Sequence, residues 1–543
     1  MSLRPWPSLR RALLPGSGLS RRWSSTTTRF TVHGGGSKRD LLDAVLATAP
    51  AQSIRRNAGQ DAVVILASRH HATWLSDQEF MANLLESFSD SEPQEVNVLA
   101  AVVDGLPPQS RQGDPRQGFS ICHGKLDHVL PGLWDPRDAV TSHPVRGAEP
   151  KAALTFSRGF HLLPGTGTTT PLPLTCTVPL SNTIFQNQQP FTLLASHWRK
   201  DGPGSPFSLT RMVTKQRQDV GCFDDDTQGQ FSSVSAPLVP ITPPRGILAG
   251  LGNIVRQIDV DGSVTPASKE LEVAVQRIYD GWDDGAKGGR PSGPIGIWAL
   301  VMPSEVAGSV SLPSFGDWPS PLRLGVVDEM LLVEQQRAWL RSGESCLTGA
   351  LSEGGRLYQV GNGGGGWGKK QGLLSLDPDT LFRNAGEDGL DEFIRSFRGG
   401  HDGEDASSGA ATTNGGVVSR GSIIQFFVAG ADETAANAAP TLETAEEYAG
   451  GRAVFGFSPR AGHVLDGSSA GEPPRPSWAI VPDLFGGVSS DCIYLSTTPR
   501  TLRGDGQGPR MQTKINVPES FLRPTGQSGE VESASWRRVI SLC

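Results

Sequence analysis

The chain has 543 residues, 37% hydrophobic and 19% charged, with a formal charge of −7. That length exceeds one ordinary core and predicts two or three domains. The acidic balance argues against nucleic acid as a partner. The longest apolar runs, such as "VLAAVV" at 98–103 and "IGIWALVM" at 295–302, fall far short of the roughly 20 residues of a transmembrane helix, so no transmembrane segment is expected.

The first thirty residues hold six arginines, many serines and no acid. This is the composition of a mitochondrial transit peptide, expected over 1–23 with cleavage in "RRWSS" and delivery to the matrix. Its removal takes five arginines with it and moves the charge from −7 to −12. The six cysteines (122, 176, 222, 346, 492 and 543) are scattered without a CxxC pair. Neither a zinc ribbon nor a disulfide framework follows from that spacing.

Next in the chain, "RFTVH" (29–33) alternates as a strand does, and "GGG" breaks it. Ser37 is placed to cap a helix whose Leu41, Leu42, Val45 and Leu46 fall on one face. "DAVVILAS" (61–68) is a short continuous apolar run, the pattern of a strand buried on both faces. Ser76 and Glu79 have capping-box spacing ahead of a helix striped by Phe80, Leu84, Leu85 and Phe88, with Leu75 placed to staple onto Phe80. "VNVLAAVVDG" (96–105) reads as a third strand, and the alternation predicts βαβ units.

From 105 to about 230, Pro, Gly, Ser and Thr are dense around β-like pieces at 152–157, 191–196 and 207–213. An antiparallel extension with long loops fits. "DVDG" at 259–262 lacks the rest of a calcium loop and reads as a turn. Thr265 and Pro266 open a predicted helix with Leu271, Val275, Ile278 and Trp282 inward. "IGIWALVMP" and "GSIIQFFVAG" (421–430) are strands, the latter followed by a helix-like stretch. The segment 398–418 is a low-complexity insertion. The expected fold class is therefore α+β, α/β-like in its first half. It comprises two packed mixed β-sheet domains with flanking helices and long Gly/Pro-rich loops.

Catalytic motifs fail on context. "GGGGWGKK" (363–370) has the spacing of a phosphate-binding loop, but Lys370 stands where a magnesium-holding hydroxyl is needed. The "QGLLSLDPD" that follows leaves room for a short strand, not for the required helix. "HGGGS" (33–37) resembles an esterase oxyanion loop and "GSSAG" (467–471) fits GxSxG. The latter runs into "EPPRPSW", which cannot be helical, and no histidine follows His463. "HGGGS" then reads as a strand-to-helix turn with N–H groups able to meet an anion. The ten histidines include no HExxH, so no metal site is expected.

Several segments in order resemble the FIST family, a sensory domain of bacterial signalling proteins and some eukaryotic F-box proteins. The opening at 29–105 is similar to its first half. "LGNIVRQIDVDGSVTPASKELEVAVQRI" (251–278), "QGLLSLDPD" (371–379), "GSIIQFFVAGADETAANA" (421–438) and "RAVFGFSPRAG" (452–462) resemble its second. Asp104–Gly105 stands where the family has a small-residue turn. The resemblance implies FIST-like domains over 27–237 and 238–520, followed by a tail at 521–543. It implies a module that binds small ligands such as amino acids or related metabolites, with no catalytic residue and no cofactor.

The expected partner is thus a small molecule in a pocket between or within the halves. The candidate contacts are the backbone N–H groups of Gly363, Gly364, Gly365 and Gly366, with Trp367 as an apolar wall and Lys369 as anion partner. Asn253 and Arg256 are further candidates. Core packing for Trp367 and a solvated charge for Lys369 are the plain alternatives. A scaffold of a mitochondrial complex, or an enzyme with an unrecognised site, are the other functions to weigh.

Overall fold

The computed structural model describes residues 27–47, 61–88, 94–108, 114–135, 151–158, 160–162, 172–202, 204–222, 230–283, 296–304, 347–363, 372–379, 382, 418–429, 452–462, 478–498 and 511–524. The first span gives β1 (Thr28–His33), α1 (Lys38–Leu46), β2 (Ala62–Ser68), a 3₁₀ helix (Arg69–Ser76), α2 (Gln78–Glu86), β3 (Gln94–Val103), β4 (Gly118–Gly124) and the short α3 (Leu126–Val129). Next come β5 (Ala153–Arg158), β6 (Phe160–Leu162), β7 (Leu172–Pro179), α4 (Ile184–Asn187), β8 (Leu193–Lys200), β9 (Ser208–Thr214), β10 (Arg217–Gly221), β11 (Gln230–Ser235) and β12 (Leu238–Pro240). The middle holds β13 (Arg245–Leu251), β14 (Ile254–Val260), β15 (Ser263–Pro266), α5 (Ala267–Asp283), β16 (Ile297–Met302), β17 (Arg356–Gly363), β18 (Leu374–Leu376) and β19 (Ile423–Ala429). The last strands are β20 (Arg452–Phe457), β21 (Ala479–Pro482), β22 (Leu484–Ser489), β23 (Ile493–Thr497), β24 (Met511–Ile515) and β25 (Ser520–Pro524).

The opening builds a seven-stranded sheet in the order β21–β1–β4–β2–β3–β8–β9. β4 runs antiparallel between β1 and β2, and β2 pairs parallel with β3. The carboxyl ends of β1, β2 and β3 therefore share one edge. The continuous run in β2 is buried on both faces. Val63, Ile65 and Ala67 meet Leu41, Val45, Phe80 and Leu84 of the helices, while Ala62, Val64 and Leu66 turn to the second core. Ser37 caps α1 in a full capping box with Asp40. The cap of α2 is Asp77, whose carboxylate accepts from the Phe80 N–H at 3.1 Å, and not Ser76, because the 3₁₀ helix continues through Ser76.

Behind this sheet lies a ten-stranded one that joins β5, β6, β7, β10 and β11 to β20, β22, β23, β24 and β25. Its hydrogen bonds thus link strands from both sides of residue 237. Phe156 stacks on Phe455 at 3.9 Å between ring centroids in the core that the two sheets share. The seam also has polar members. The Thr31 hydroxyl donates to the Leu484 carbonyl at 2.8 Å and meets Ser120 Oγ at 2.9 Å, which accepts from the Gly486 N–H at 3.0 Å.

The third sheet closes on itself. β13, β14, β18, β17, β16 and β19 pair in turn, and β19 returns to β13. The result is a six-stranded antiparallel barrel filled by Ile247, Val255, Tyr358, Leu374 and Phe426. Ala267, Leu271 and Ala274 of α5, spaced at i, i+4 and i+7, join that core. Outward residues such as Trp298, Leu300 and Leu357 pack into the core of the ten-stranded sheet.

The expected α+β class is overturned. Strands make up 53% and helices 19% of the described residues, so the fold is β-rich with closed and curved sheets. The helical periods at 38–46, 78–86 and 267–283 do form helices. The stretches around them, read as loop-rich, are strand after strand. Strands such as β6 and β12 span three residues each, and β7 finds its partner β23 more than 300 positions away. No local period reports such pairing, since strand preference is set by cross-strand packing.

Candidate ligand-binding site

Three of the expected residues lie on the barrel, Gly363 and Arg256 on strands and Asn253 in a turn. Gly363 ends β17 and pairs with Leu374 of β18, whose other neighbour is Val255 of β14. Asn253 sits in the two-residue turn between β13 and β14. Its side-chain N–H groups donate to the Leu376 carbonyl at 2.7 Å and to Ser375 Oγ at 3.3 Å. That amide is committed to pinning the turn onto β18 and is not free for a ligand. Arg256 is exposed at a β-bulge, the extra residue between Val255 and Gln257, which pair with Gly250 and Ala249. Bulges of this kind re-aim a side chain. Among the described residues Arg256 has no ion pair. Gly364, Gly365, Gly366, Trp367 and Lys369 lie outside the described residues, as does "GSSAG".

A crevice opens elsewhere, between the ten-stranded sheet and the barrel. Leu162, Leu174, Leu495 and Met511 line it from the ten-stranded sheet, and Leu351 from the helical turn ahead of β17. Its enclosed volume is about 10 Å³, room for about one water molecule. Gly355 lets the helical turn at 347–352 close down on β17, because a Cβ there would lie 2.8 Å from the Ala350 carbonyl oxygen. Most polar groups at the crevice are occupied. Thr513 Oγ1 accepts from the Leu357 N–H at 3.0 Å, Gln512 Oε1 accepts from the Phe382 N–H at 2.8 Å, and Arg356 bonds the Tyr358 hydroxyl. Two buried atoms of lining residues have no hydrogen-bond partner: Arg356 Nε and the hydroxyl of Thr497, a residue 8% exposed. Sequence reasoning passed over Thr497. The available signal was strand period, since Thr497 continues the buried Ile493–Leu495 face of β23 with a polar side chain.

The shared edge of β1, β2 and β3 is the other place dense in polar chemistry. The "HGGGS" segment is a strand-to-helix turn: the Gly34 N–H donates to the Gln117 carbonyl at 3.1 Å and Ser37 caps α1. Ser68 Oγ meets His71 Nδ1 at 3.1 Å and accepts from the Gly118 N–H at 3.0 Å. The pair offers no open nucleophile, because Ser68 is buried and the His71 ring is enclosed by Trp74, Phe119 and Trp478. Burial pushes the His71 imidazole down to about 4, helped by the neighbouring His70. Burial does the same at His33, to about 4, against the pull of the Pro107 carbonyl and with the charge of Arg116 adding to it. Both rings are neutral at pH 7. Arg69 pairs with Asp104 and donates from Nε to Ser181 Oγ at 2.7 Å. The Asp104 carboxylate in turn accepts from the N–H and hydroxyl of Ser490. The Arg69–Asp104–Ser490 contacts clamp the two sheets together at this edge, while Trp478 Nε1 is buried without a hydrogen-bond partner.

Among the described residues no cluster of three or more His, Cys, Asp or Glu could hold a metal ion, and no helix is long and apolar enough to cross a membrane. Comparison with protein-family models, curated proteins and solved structures finds no match.

Proposed function

We propose that this chain is a small-ligand-binding protein of the FIST type that works in the mitochondrial matrix. The observation that supports binding is the crevice between the ten-stranded sheet and the barrel, where the Thr497 hydroxyl is buried without a partner. An unbonded buried hydroxyl costs about 1–3 kcal/mol, and such a group calls for an explanation of its own. Clefts between packed units are also where ligand sites concentrate. The family reading is supported by the order of motifs from 251 to 462, and the matrix location by the acid-free, arginine-rich residues 1–23.

A thermal-shift panel of matrix metabolites tests the binding reading. A ligand at about 100 times its dissociation constant stabilises by roughly 2.7 kcal/mol. The shift is expected in the native chain and absent from Leu351→Trp, which fills the crevice. A flat panel, or a shift that survives Leu351→Trp, removes the crevice as the site. Residues 1–30 fused to a reporter test the location, and a cytosolic reporter refutes it.

One observation favours a scaffold as the second reading. Ile184 and Phe185 of α4 are 48% and 96% exposed. The turn that carries them is held by Asn182 Oδ1 at the Ile184 N–H and by Asn187 Nδ2 at Thr192 Oγ1. Exposed aromatics on a fixed turn are typical contact anchors. A stoichiometric mitochondrial partner that Phe185→Ser releases would support this reading over ligand binding.

A further inference from the structure

We infer that the closed end of the crevice is a binding site for one water molecule, which joins Arg356 of the barrel to Thr497 of the ten-stranded sheet. This goes beyond the binding reading and stands without it, because the rest of the crevice opens to solvent and no metabolite is needed to hold a water at its closed end. Size is the first ground. The enclosed volume of about 10 Å³ is the space of about one water molecule. Polar partners are the second. Arg356 Nε and Thr497 Oγ1, both buried at the crevice, have no hydrogen-bond partner. A buried water makes about two to four hydrogen bonds, so these two atoms meet its lower requirement. The Nε–H can only donate, whereas a hydroxyl donates and accepts. The water therefore accepts from Arg356 and exchanges its other bond with Thr497.

Register is the third ground. Thr497 pairs with Leu174 of β7 on one side and with Met511 of β24 on the other, and both line the crevice. Apolar side chains thus flank the hydroxyl within its own sheet. Thr513, next on that face of β24, accepts from the Leu357 N–H at 3.0 Å and donates to the Leu357 carbonyl at 3.3 Å. Those bonds fix Arg356, one residue earlier in β17, beside the same space. Arg356 has no ion pair among the described residues, and its guanidinium bonds the Tyr358 hydroxyl. A small anion is therefore the competing occupant. Each buried polar atom left unmade costs stability. One water satisfies both at a small cost in its own freedom.

A crystal structure of the full chain, grown without added ligand and soaked in bromide, reads the site directly. One water-sized peak within hydrogen-bond distance of both atoms, without anomalous signal, is expected. Bromide at that point would make it an anion site, and no density would make it dry; either result overturns the proposal. Neither result bears on metabolite binding in the open part of the crevice, which the thermal-shift panel reads separately. In solution, Thr497→Val and Arg356→Met should each lower the urea midpoint, because each removes one anchor of the water and orphans the other atom. The double variant should shift the midpoint by less than the sum of the two. Shifts that simply add would show that the two atoms share no partner and would sink the bridge. Oxygen-17 relaxation dispersion should count one long-lived water fewer in Thr497→Val than in the native chain, and an unchanged count would overturn the site.

Discussion

The seven-stranded sheet and the six-stranded barrel bury the same kind of strand in opposite ways. The sheet is open, so it needs a layer on each side: α1, the 3₁₀ helix and α2 on one face, the ten-stranded sheet on the other. Every residue of β2 is buried in consequence. The barrel covers its own inner face by closure, and β14 has the mixed exposure of a strand with one wet side. The sheet therefore has no tolerant position in its central strands, whereas the barrel keeps tolerance on its outer face and in its turns. Neutral histidines 33, 71 and 123 sit in or against the sheet, and a charged pair, Arg245–Glu270, ties the barrel to α5. Charged pairs with a buried member occur in the sheet as well, Arg69–Asp104 and Lys200–Glu86.

The sharpest way to break that contrast is Gly118→Ala in β4. Gly118 has φ +135°, and a Cβ there would lie 1.9 Å from the Val32 carbonyl oxygen of β1. The atoms it would strike, in Val32 and His33, are all backbone, so no side chain can rotate to relieve the clash. The expected loss is about 4 kcal/mol or more, at the exceptional end for a single substitution. Urea denaturation reads it as a lower midpoint with an unchanged slope. A near-native midpoint would show that the sheet can yield where its layers leave no room.

Acid should also strike the sheet first. Burial lowers His33, His71 and His123 to about 4 from an ordinary 6.5. In the unfolded chain these rings take protons as the pH falls through 6.5, while the folded chain refuses them until about 4. Their contribution to stability is therefore complete above pH 6.5 and lost as the pH falls from 6.5 to about 4. Each histidine shifted by that much corresponds to about 3 kcal/mol. Hydrogen exchange at pH 7 and pH 5 should show protection falling in β1, β2 and β4 before the barrel strands. Equal loss in both regions would mean that they unfold as one unit and that the histidines do not mark a boundary.

How much of this was legible follows from the same contrast. The both-face burial of β2, the Ser37 cap and the Asp261–Gly262 turn are local signals, and each appears in the structure as read. The ten-stranded sheet was not legible, because β7 pairs with β23 and β11 with β25 across most of the chain. Chains of short strands among prolines look like loops until their partners are known. At the site, Gly363 and Asn253 do flank one strand, β18, yet Asn253 turns out to hold a turn. Thr497 went unnoticed because one polar residue in an apolar alternation is a weak signal until its missing partner can be seen.

A smaller effect probes the barrel's attachment to α5. Arg245 Nε donates to Glu270 Oε1 at 2.7 Å, with both side chains 11% exposed. Asp261, 82% exposed, holds the other side of the guanidinium at 2.8 Å. Glu270→Ala leaves a largely buried cation with a solvent-screened partner. The expected cost is about 3 kcal/mol, at the low end for breaking a buried pair because Asp261 remains. Glu270→Gln should cost less, since the amide oxygen still accepts the hydrogen bond. If both variants cost the same, charge is not what fastens α5 to the barrel.

The smallest effect is the control for the largest. Gly262 lies with Asp261 in the two-residue turn between β14 and β15, where Val260 pairs with Ser263. Both turn residues have positive φ, +52° and +84°, the signature of an Asp-Gly hairpin. A Cβ on Gly262 would meet nothing within 4 Å. Gly262→Ala therefore carries left-handed backbone strain alone, about 1 kcal/mol, roughly a quarter of the cost expected at Gly118. Gly262→Asn should cost less still, since asparagine tolerates that conformation. The two glycine-to-alanine substitutions both force an L residue to positive φ, +135° against +84°, and differ in what the new methyl strikes. The gap between their urea midpoints thus measures the clash in the layered sheet together with the harsher φ of Gly118. If Gly262→Ala proves as damaging as Gly118→Ala, strain and not the Val32 carbonyl is the common cause, and the barrel is no more tolerant than the sheet.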